Sequence, residues 1–200
     1  MSSSFKILQA KADSPHLSGA AELHVKYLPG TLTSQRGAKT TAGMYRYLVR
    51  QGHAAYLALA RDNSASNELA GGLIVMRHAC KQSKLFLVAY RPWSWLITLR
   101  ALGIRKAFTQ SQDLARLQNA AKQLGPHDYI AAVYVAESSR RLGLARQLIE
   151  YAIAEATSRG VGIAVDTTLT NESAKNLYQS LGFAEFYRTN VSVQFTLGLA

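Results

Sequence analysis

Residues 129–155, YIAAVYVAESSRRLGLARQLIEYAIAE, determine the expected fold of this chain. The stretch begins with a continuous apolar run, residues 130–135, which is long enough for a buried strand. A short polar turn, residues 137–141, follows the run. Apolar residues then recur at helical spacing and give one apolar face: Leu142, Ala145, Leu148, Ile149, Ala152 and Ala156. The pattern predicts a strand, a turn and an amphipathic helix.

The predicted turn has the features of an anion site. Free backbone N–H groups at a helix start carry a partial positive charge of about half a unit. Gly143 and Ala145 keep the first helical turn free of bulk, and Arg140 and Arg141 add full positive charge. No acidic residue occurs in residues 138–147. The turn therefore fits a pyrophosphate, and the alternative is a simple strand-to-helix connection with surface arginines.

Two motifs resemble one known family. The residues Arg140-x-x-Gly143-x-Ala145 after a hydrophobic strand resemble the coenzyme A motif of the GNAT acyltransferase superfamily. Residues 171–183, NESAKNLYQSLGF, resemble the late helix of that family, with an asparagine at its start, a Leu-Tyr pair two turns on and Leu-Gly-Phe at its exit. The motifs stand in the family's order, with a helix and a predicted strand, residues 161–167, between them. On this pairing the chain is identified as a member of the superfamily.

The resemblance implies an α/β (α+β) GNAT fold over residues 1–200, as one acyltransferase domain with a mixed central sheet of about six to seven strands flanked by helices. The family usually runs almost directly from an early hairpin into its coenzyme A strand, whereas this chain inserts residues 79–127. The insertion looks helical and basic, because residues 81–122 hold eight Lys/Arg and one acid, Asp113. It is either a helical cap on the sheet or a surface that meets anionic lipid or a phosphate-bearing acceptor.

The resemblance also implies roles for individual residues. Main-chain groups of Val133, Tyr134 and Val135 would contact the pantetheine arm of acetyl-CoA, and one N–H near Tyr134 or Val135 would stabilise the oxyanion. Asn171 is expected both to cap its helix and to contact the cofactor. Tyr178 is expected to protonate the departing thiolate, and the alternative is a core tyrosine. The pyrophosphate would be held by the turn residues Arg140, Arg141, Leu142, Gly143, Leu144 and Ala145.

The general base and the acceptor site are less defined. The sequence leaves several base candidates open, besides a water chain: Asp128, Glu137, His53, His78 and His127. Tyr129 stands where some family members carry a glutamate. In the family the two early helices wall the acceptor pocket, which makes His24, Tyr45 and Tyr47 candidates. For His24, a packing role with a hydrogen-bonded neighbour is favoured.

Local signals predict several features of the first half of the chain. Ser14 followed by Pro15 predicts a helix N-cap with proline in the first helical position. Thr41 is predicted to begin the second helix. Gly71 and Gly72, inside a predicted strand, indicate a bulge or the close approach of another group.

Length and composition limit the classes of protein. Two hundred residues are ordinary for one domain, and 48% hydrophobic residues exclude a disordered chain. No apolar run approaches the ~20 residues of a membrane span, and the first residues, MSSSFKILQAKAD, lack the apolar stretch and the cleavage site expected of a secretory signal. The single cysteine, Cys80, and the lack of a Cys/His cluster favour a reducing, cytoplasmic setting without a metal.

The net charge of +11 calls for an anionic partner. The leading hypothesis is an N-acetyltransferase that uses acetyl-CoA and a small primary amine. The insertion and an early His-Pro-Gly pattern resemble GNAT members associated with amino sugars of surface polysaccharides. The alternative is a non-catalytic GNAT-fold module that binds RNA or an acidic partner through its basic insertion. Peripheral contact with an anionic membrane and a homodimer are further expectations.

Overall fold

The computed structural model describes residues 5–31, 33–60, 68–78, 112, 115–117 and 119–198. Four helices lie in this part of the chain, beside short 3-10 turns and the helical residues near 112–121: α1 (His16–Tyr27), α2 (Ala38–Arg50), α3 (Leu144–Ser158) and α4 (Glu172–Ser180). The strands are β1 (Phe5–Gln9), β2 (Ala54–Ala60), β3 (Leu69–Met76), β4 (His127–Val135), β5 (Gly162–Thr168), β6 (Ala184–Arg188) and β7 (Ser192–Leu197).

The strands form one mixed sheet in the order β1-β2-β3-β4-β5-β7-β6. The β4–β5 pair is parallel, whereas β1–β2, β2–β3, β5–β7 and β6–β7 are antiparallel. This arrangement confirms the predicted mixed sheet flanked by helices, at the upper end of the expected strand number.

The predicted insertion, residues 79–127, falls largely outside the described residues. Residues 112, 115–117 and 119–121 are helical, as expected for the second helix of the insertion. The rest of the insertion, for which the sequence also predicts helical structure, lies outside the described part of the chain. His127 already belongs to β4, so the insertion ends before it rather than at it.

Two helix starts differ from the sequence prediction. Pro15, not Ser14, occupies the N-cap position of α1, and no side chain caps that end. The second helix begins at Ala38 rather than Thr41, because Gly37 with φ 78° turns the chain into the helix one turn earlier. Thr41 is buried inside α2, where its hydroxyl donates to the Gly37 carbonyl at 3.0 Å.

The chain forms two compact units, Met1–Met76 with Ala131–Tyr151 and Arg77–Ile130 with Ala152–Ala200. Among the described residues, no helix combines the length and the apolar character that a membrane span requires.

In the first unit, the two strand glycines mark a close approach of backbone and ring. A Cβ on Gly71 would lie 2.7 Å from the carbonyl oxygen of Tyr134, and a Cβ on Gly72 would lie 2.6 Å from its hydroxyl oxygen. The backbone N–H of Ala136 donates to the carbonyl of Ala70 at 2.8 Å. Only glycine allows β3 this distance from the end of β4, which confirms the prediction of a close approach.

In the second unit, a buried ion pair and an aromatic cluster organise the core. Arg159 donates to both carboxylate oxygens of Asp128, from Nη1 to Oδ1 at 3.2 Å and from Nη2 to Oδ2. Asp128 is 1% exposed, so this pairing compensates the cost of burying its charge. Tyr178 packs its ring against Phe183 and Phe195, at centroid distances of 5.8 and 5.9 Å.

A buried polar cluster links α1, α2 and β4 within the first unit. The His24 imidazole hydrogen-bonds through Nδ1 with the Tyr45 hydroxyl and through Nε2 with Thr31 Oγ1 at 3.1 Å. Its ring meets the Tyr45 and Tyr134 rings edge-on, at centroid distances of 5.8 and 5.5 Å. Burial lowers the pKa of His24 to about 4 and raises the pKa of both tyrosines. His24 is therefore a neutral, hydrogen-bonded packing residue, as favoured from the sequence.

The lowered pKa of His24 makes the stability of the fold depend on pH. The unfolded chain binds a proton at this imidazole near its ordinary value of 6.5, whereas the folded chain does so only near 4. The free energy of unfolding is then highest above pH 6.5 and falls as the pH drops toward 4, by about 3 kcal/mol in total from this group. Urea unfolding at intervals between pH 4 and 7 measures this slope.

His24→Gln keeps a polar side chain but removes the titration, so its unfolding free energy should show a shallower pH slope than the parent chain. His16→Gln, on the same helix but outside the cluster, serves as the matched control and should retain the His24 contribution. Equal slopes for the parent chain and His24→Gln would contradict this assignment.

Candidate active site

The second half of β4 extends beyond its ladder with β5. The parallel register joins His127–Ile130 to Gly162–Val165 and ends there, whereas β4 continues to Val135. Along residues 131–135 the side chains alternate, and those of Ala132 and Tyr134 are buried. This half of β4 holds the residues expected to contact the pantetheine arm, including Val133.

The turn after β4 has an open, left-handed backbone. A 3-10 turn, Glu137–Ser139, is followed by Arg141 with φ 62° and Gly143 with φ 76°, and α3 begins at Leu144. Among the described residues, and leaving aside its two chain neighbours, no heavy atom lies within 4 Å of the position that a Cβ on Gly143 would occupy. No described side chain beyond these neighbours therefore packs against Gly143 on this side.

The start of α3 supplies the donors for an anion. The backbone N–H of Gln147 donates to the Gly143 carbonyl at 3.1 Å, so residues 144–146 precede the first bond of the helix ladder. The first turn of α3 contains no acidic side chain to compete for these N–H groups. Helix-start amides, a glycine and adjacent arginines are the features with which proteins bind a pyrophosphate.

Leu142 differs from its sequence interpretation. It was expected to begin the apolar face of the helix, yet it lies in the turn before α3 with 54% of its surface exposed. Leu144, at 1% exposure, begins the buried face instead. The left-handed residues on either side of Leu142 delay the helix start, which turns this side chain outward. In the expected pyrophosphate site, Leu142 would therefore contribute through its main chain and not through its side chain.

The two turn arginines are both exposed, but Arg140 has specific contacts. Its guanidinium carbon lies 4.9 Å from the centroid of the Tyr27 ring. Its Nε donates to the Val135 carbonyl at 3.5 Å, a long hydrogen bond. Tyr27 was not predicted from the sequence, because its contact with Arg140 joins the end of α1 to a turn more than a hundred residues later.

In the second unit, Asn171 and Tyr178 occupy the two positions expected of them in the late helix. Asn171 is the N-cap of α4, and its Oδ1 accepts from the Ala174 backbone N–H at 3.2 Å. Tyr178 is 3% exposed on the inner face of α4. Burial, reinforced by the Asp166 carboxylate, raises the pKa of Tyr178, so its hydroxyl is protonated at neutral pH. It is therefore suited to donate a proton and not to accept one.

The candidates for the general base differ in burial and in the contacts that they make. The ion pair with Arg159 gives Asp128 a structural role. His127 is buried, with Nδ1 2.8 Å from the Gly125 carbonyl, and His53 is also buried. Glu137 is exposed on the turn after β4. In the described ranges, no three His, Cys, Asp or Glu side chains form a group that would hold a metal ion.

Known proteins of this fold match the chain over almost its whole length. An Arabidopsis thaliana NAA60 structure in complex with acetyl-CoA shares 18% identity, covers 96% of this chain and 97% of its own, and gives a TM-score of 0.59. The ribosomal-protein-S18-alanine N-acetyltransferase from Escherichia coli shares 16% identity, with 96% and 92% covered and a TM-score of 0.57. A putative acetyltransferase (ACIAD1637) from Acinetobacter baylyi ADP1 shares 14%, with 96% and 92% covered and a TM-score of 0.60. At these identities the likeness concerns the fold.

The sequence matches none of the curated proteins compared with it. The model of the acetyltransferase (GNAT) family, however, matches residues 20–183, which include β4, the open turn, α3 and α4. This range contains both motifs on which the resemblance rests. The chain therefore belongs to the GNAT family of acetyltransferases.

Proposed function

We propose that this protein transfers an acetyl group from acetyl-CoA to the primary amine of a small-molecule acceptor, such as an amino sugar that carries a phosphate or a nucleotide-linked amino sugar. The open turn between β4 and α3 carries the proposal. It combines the backbone amides at the start of α3, the left-handed Gly143 and two exposed arginines.

On the donor side, bound acetyl-CoA would supply an activated thioester. The amides of residues 143–145, with Arg140 and Arg141, would bind its pyrophosphate. Main-chain groups of Val133, Tyr134 and Val135 would align the pantetheine arm along β4 and donate to the developing oxyanion, where one donor is typically worth ~3 kcal/mol. Such positioning alone supplies roughly 7–11 kcal/mol, so the chain can accelerate transfer without a dedicated base.

On the leaving-group side, Tyr178 would give its proton to the departing thiolate, and Asn171 would contact the cofactor while capping α4. The Tyr178 phenol is protonated at neutral pH, as a proton donor must be, while burial raises its pKa and makes it a weaker acid than a free tyrosine. Packing against Phe183 and Phe195 would hold the phenol in one orientation.

The charge of the chain supports an anionic acceptor. With 23 Lys/Arg against 12 Asp/Glu, the chain attracts acceptors that carry phosphate or carboxylate groups. A second candidate acceptor is the α-amine of a protein, because the Escherichia coli structure is named for acetylation of an alanine in ribosomal protein S18. The two candidates differ in size and charge, so one assay separates them.

The test is an acetyl-transfer assay with a panel of amines and acetyl-CoA. The panel contains amino sugars, nucleotide-linked amino sugars and peptides with a free N-terminus. We expect turnover with an anionic amino sugar, and a thermal midpoint that rises with acetyl-CoA, since this ligand binds only the folded chain. Turnover confined to peptides would move the acceptor assignment to proteins. Salt-dependent RNA binding without any turnover would support the non-catalytic alternative.

A matched pair of arginine variants tests the donor site. Arg141→Gln should raise the dissociation constant of CoA roughly threefold to tenfold, the range for one partly exposed hydrogen bond. Arg50→Gln removes an exposed arginine at the end of α2 and should leave it unchanged. If both variants raise the dissociation constant of CoA equally, the positive charge of the chain as a whole, rather than a specific contact with the turn, would account for the binding.

The substitution Tyr178→Phe tests whether Tyr178 donates the proton to the departing thiolate. The ring packing is retained, so the thermal midpoint and the CoA affinity should change little, while kcat should fall on the order of 10²-fold. Tyr187→Phe, at an exposed position of β6, is the matched control and should keep the parent kcat. An unchanged kcat for Tyr178→Phe would leave this residue with a packing role only.

A further inference from the structure

Tyr27, the last residue of α1, contacts the turn that follows β4. The Arg140 guanidinium lies over its ring, with 4.9 Å between the guanidinium carbon and the ring centroid. The nearby Glu137 backbone lowers the pKa of the Tyr27 hydroxyl. Lys26 lies on the same ring, with Nζ 5.3 Å from the centroid. All of these residues belong to the first compact unit.

The geometry of the stack leaves Arg140 able to bind a ligand. A cation–π contact acts through the charge of the guanidinium and uses none of its N–H donors, to which phosphate oxygens bind. The long bond from Nε to the Val135 carbonyl fixes the side chain at a further point. An exposed arginine otherwise loses rotamer freedom when it binds a phosphate, so restriction by Tyr27 lowers that entropic cost.

The contact places Tyr27 beside the turn backbone as well. Glu137 begins the 3-10 turn that connects β4 to the left-handed residues Arg141 and Gly143, and its backbone lowers the pKa of the Tyr27 hydroxyl. The ring contact with Arg140 is therefore the main link between Tyr27 and the turn.

We propose that Tyr27 is a positioning residue for the donor site, which holds Arg140 and the turn after β4 in the conformation that binds the diphosphate of coenzyme A. The inference rests on the proposed acetyl-CoA site and adds to it a residue outside both sequence motifs. Tyr27 acts through Arg140 and the turn and does not itself contact the reacting atoms.

The experiment is a double-variant cycle on CoA binding, measured by calorimetry. Tyr27→Leu removes ring and hydroxyl and should raise the dissociation constant of CoA roughly twofold to fivefold, the range expected from one exposed cation–π contact. Tyr27→Phe keeps the ring and should restore most of the affinity. In an Arg140→Gln background, Tyr27→Leu should have little further effect, because the residue through which it acts is gone.

A second measurement separates positioning from general loss of structure. The kcat/KM for acetyl-CoA should fall in Tyr27→Leu, while the kcat/KM for S-acetylpantetheine, which lacks the diphosphate, should remain at the parent value. Tyr187→Leu, an exposed tyrosine on β6, is the matched control for loss of a surface ring. If Tyr27→Leu folds poorly, Tyr27→Gln replaces it as the non-aromatic variant.

The outcomes distinguish this inference from the proposed function. Equal effects of Tyr27→Leu in both backgrounds, or an equal loss with S-acetylpantetheine, would overturn the positioning role while the acetyl-CoA site stands. Tighter CoA binding by Tyr27→Leu would also overturn it, since Tyr27 would then withdraw Arg140 from the ligand. If the parent chain does not bind CoA, the proposed function and this inference both fail.

Discussion

The main-chain amides at the point where β4 turns into α3 are central to the proposed donor site. Arg141 and Gly143 adopt left-handed backbone angles, which delay the helix start to Leu144. Such angles cost a residue with a side chain roughly 1–2 kcal/mol, so the conformation at Arg141 is maintained against its intrinsic preference. Gly143 leaves the turn without a side chain at the position where the proposed site needs a close approach to the backbone.

The rest of the first unit supports this turn from both sides. On one side, Gly71 and Gly72 let β3 approach the backbone and ring of Tyr134, which fixes the end of β4. On the other side, Tyr27 contacts the turn from the end of α1. His24, on the same helix as Tyr27, joins α1 to α2 through a buried hydrogen bond with Tyr45.

Features encoded by neighbouring residues were predictable from the sequence. The strand-turn-helix order, the Asn171 cap and the close approach at the strand glycines follow from local spacing, and the mixed sheet followed from the resemblance carried by two motifs. The exact helix starts were not predictable, because Leu142 and Leu144 fit an apolar stripe equally well until the backbone of Arg141 is known. Nor was Tyr27, since its contacts join residues distant in the chain. The residues that bind the acceptor were not predictable either, because no single sequence motif encodes the chemistry of that pocket.

Backbone amide signals offer the most direct test of the turn, by NMR titration of the labelled chain with CoA. The amides of Gly143, Leu144 and Ala145 should shift strongly with CoA and with its adenosine-diphosphate portion, and weakly with pantetheine, because only the first two carry the diphosphate. Saturable CoA binding that leaves these three amides unshifted would contradict the central claim and place the diphosphate elsewhere.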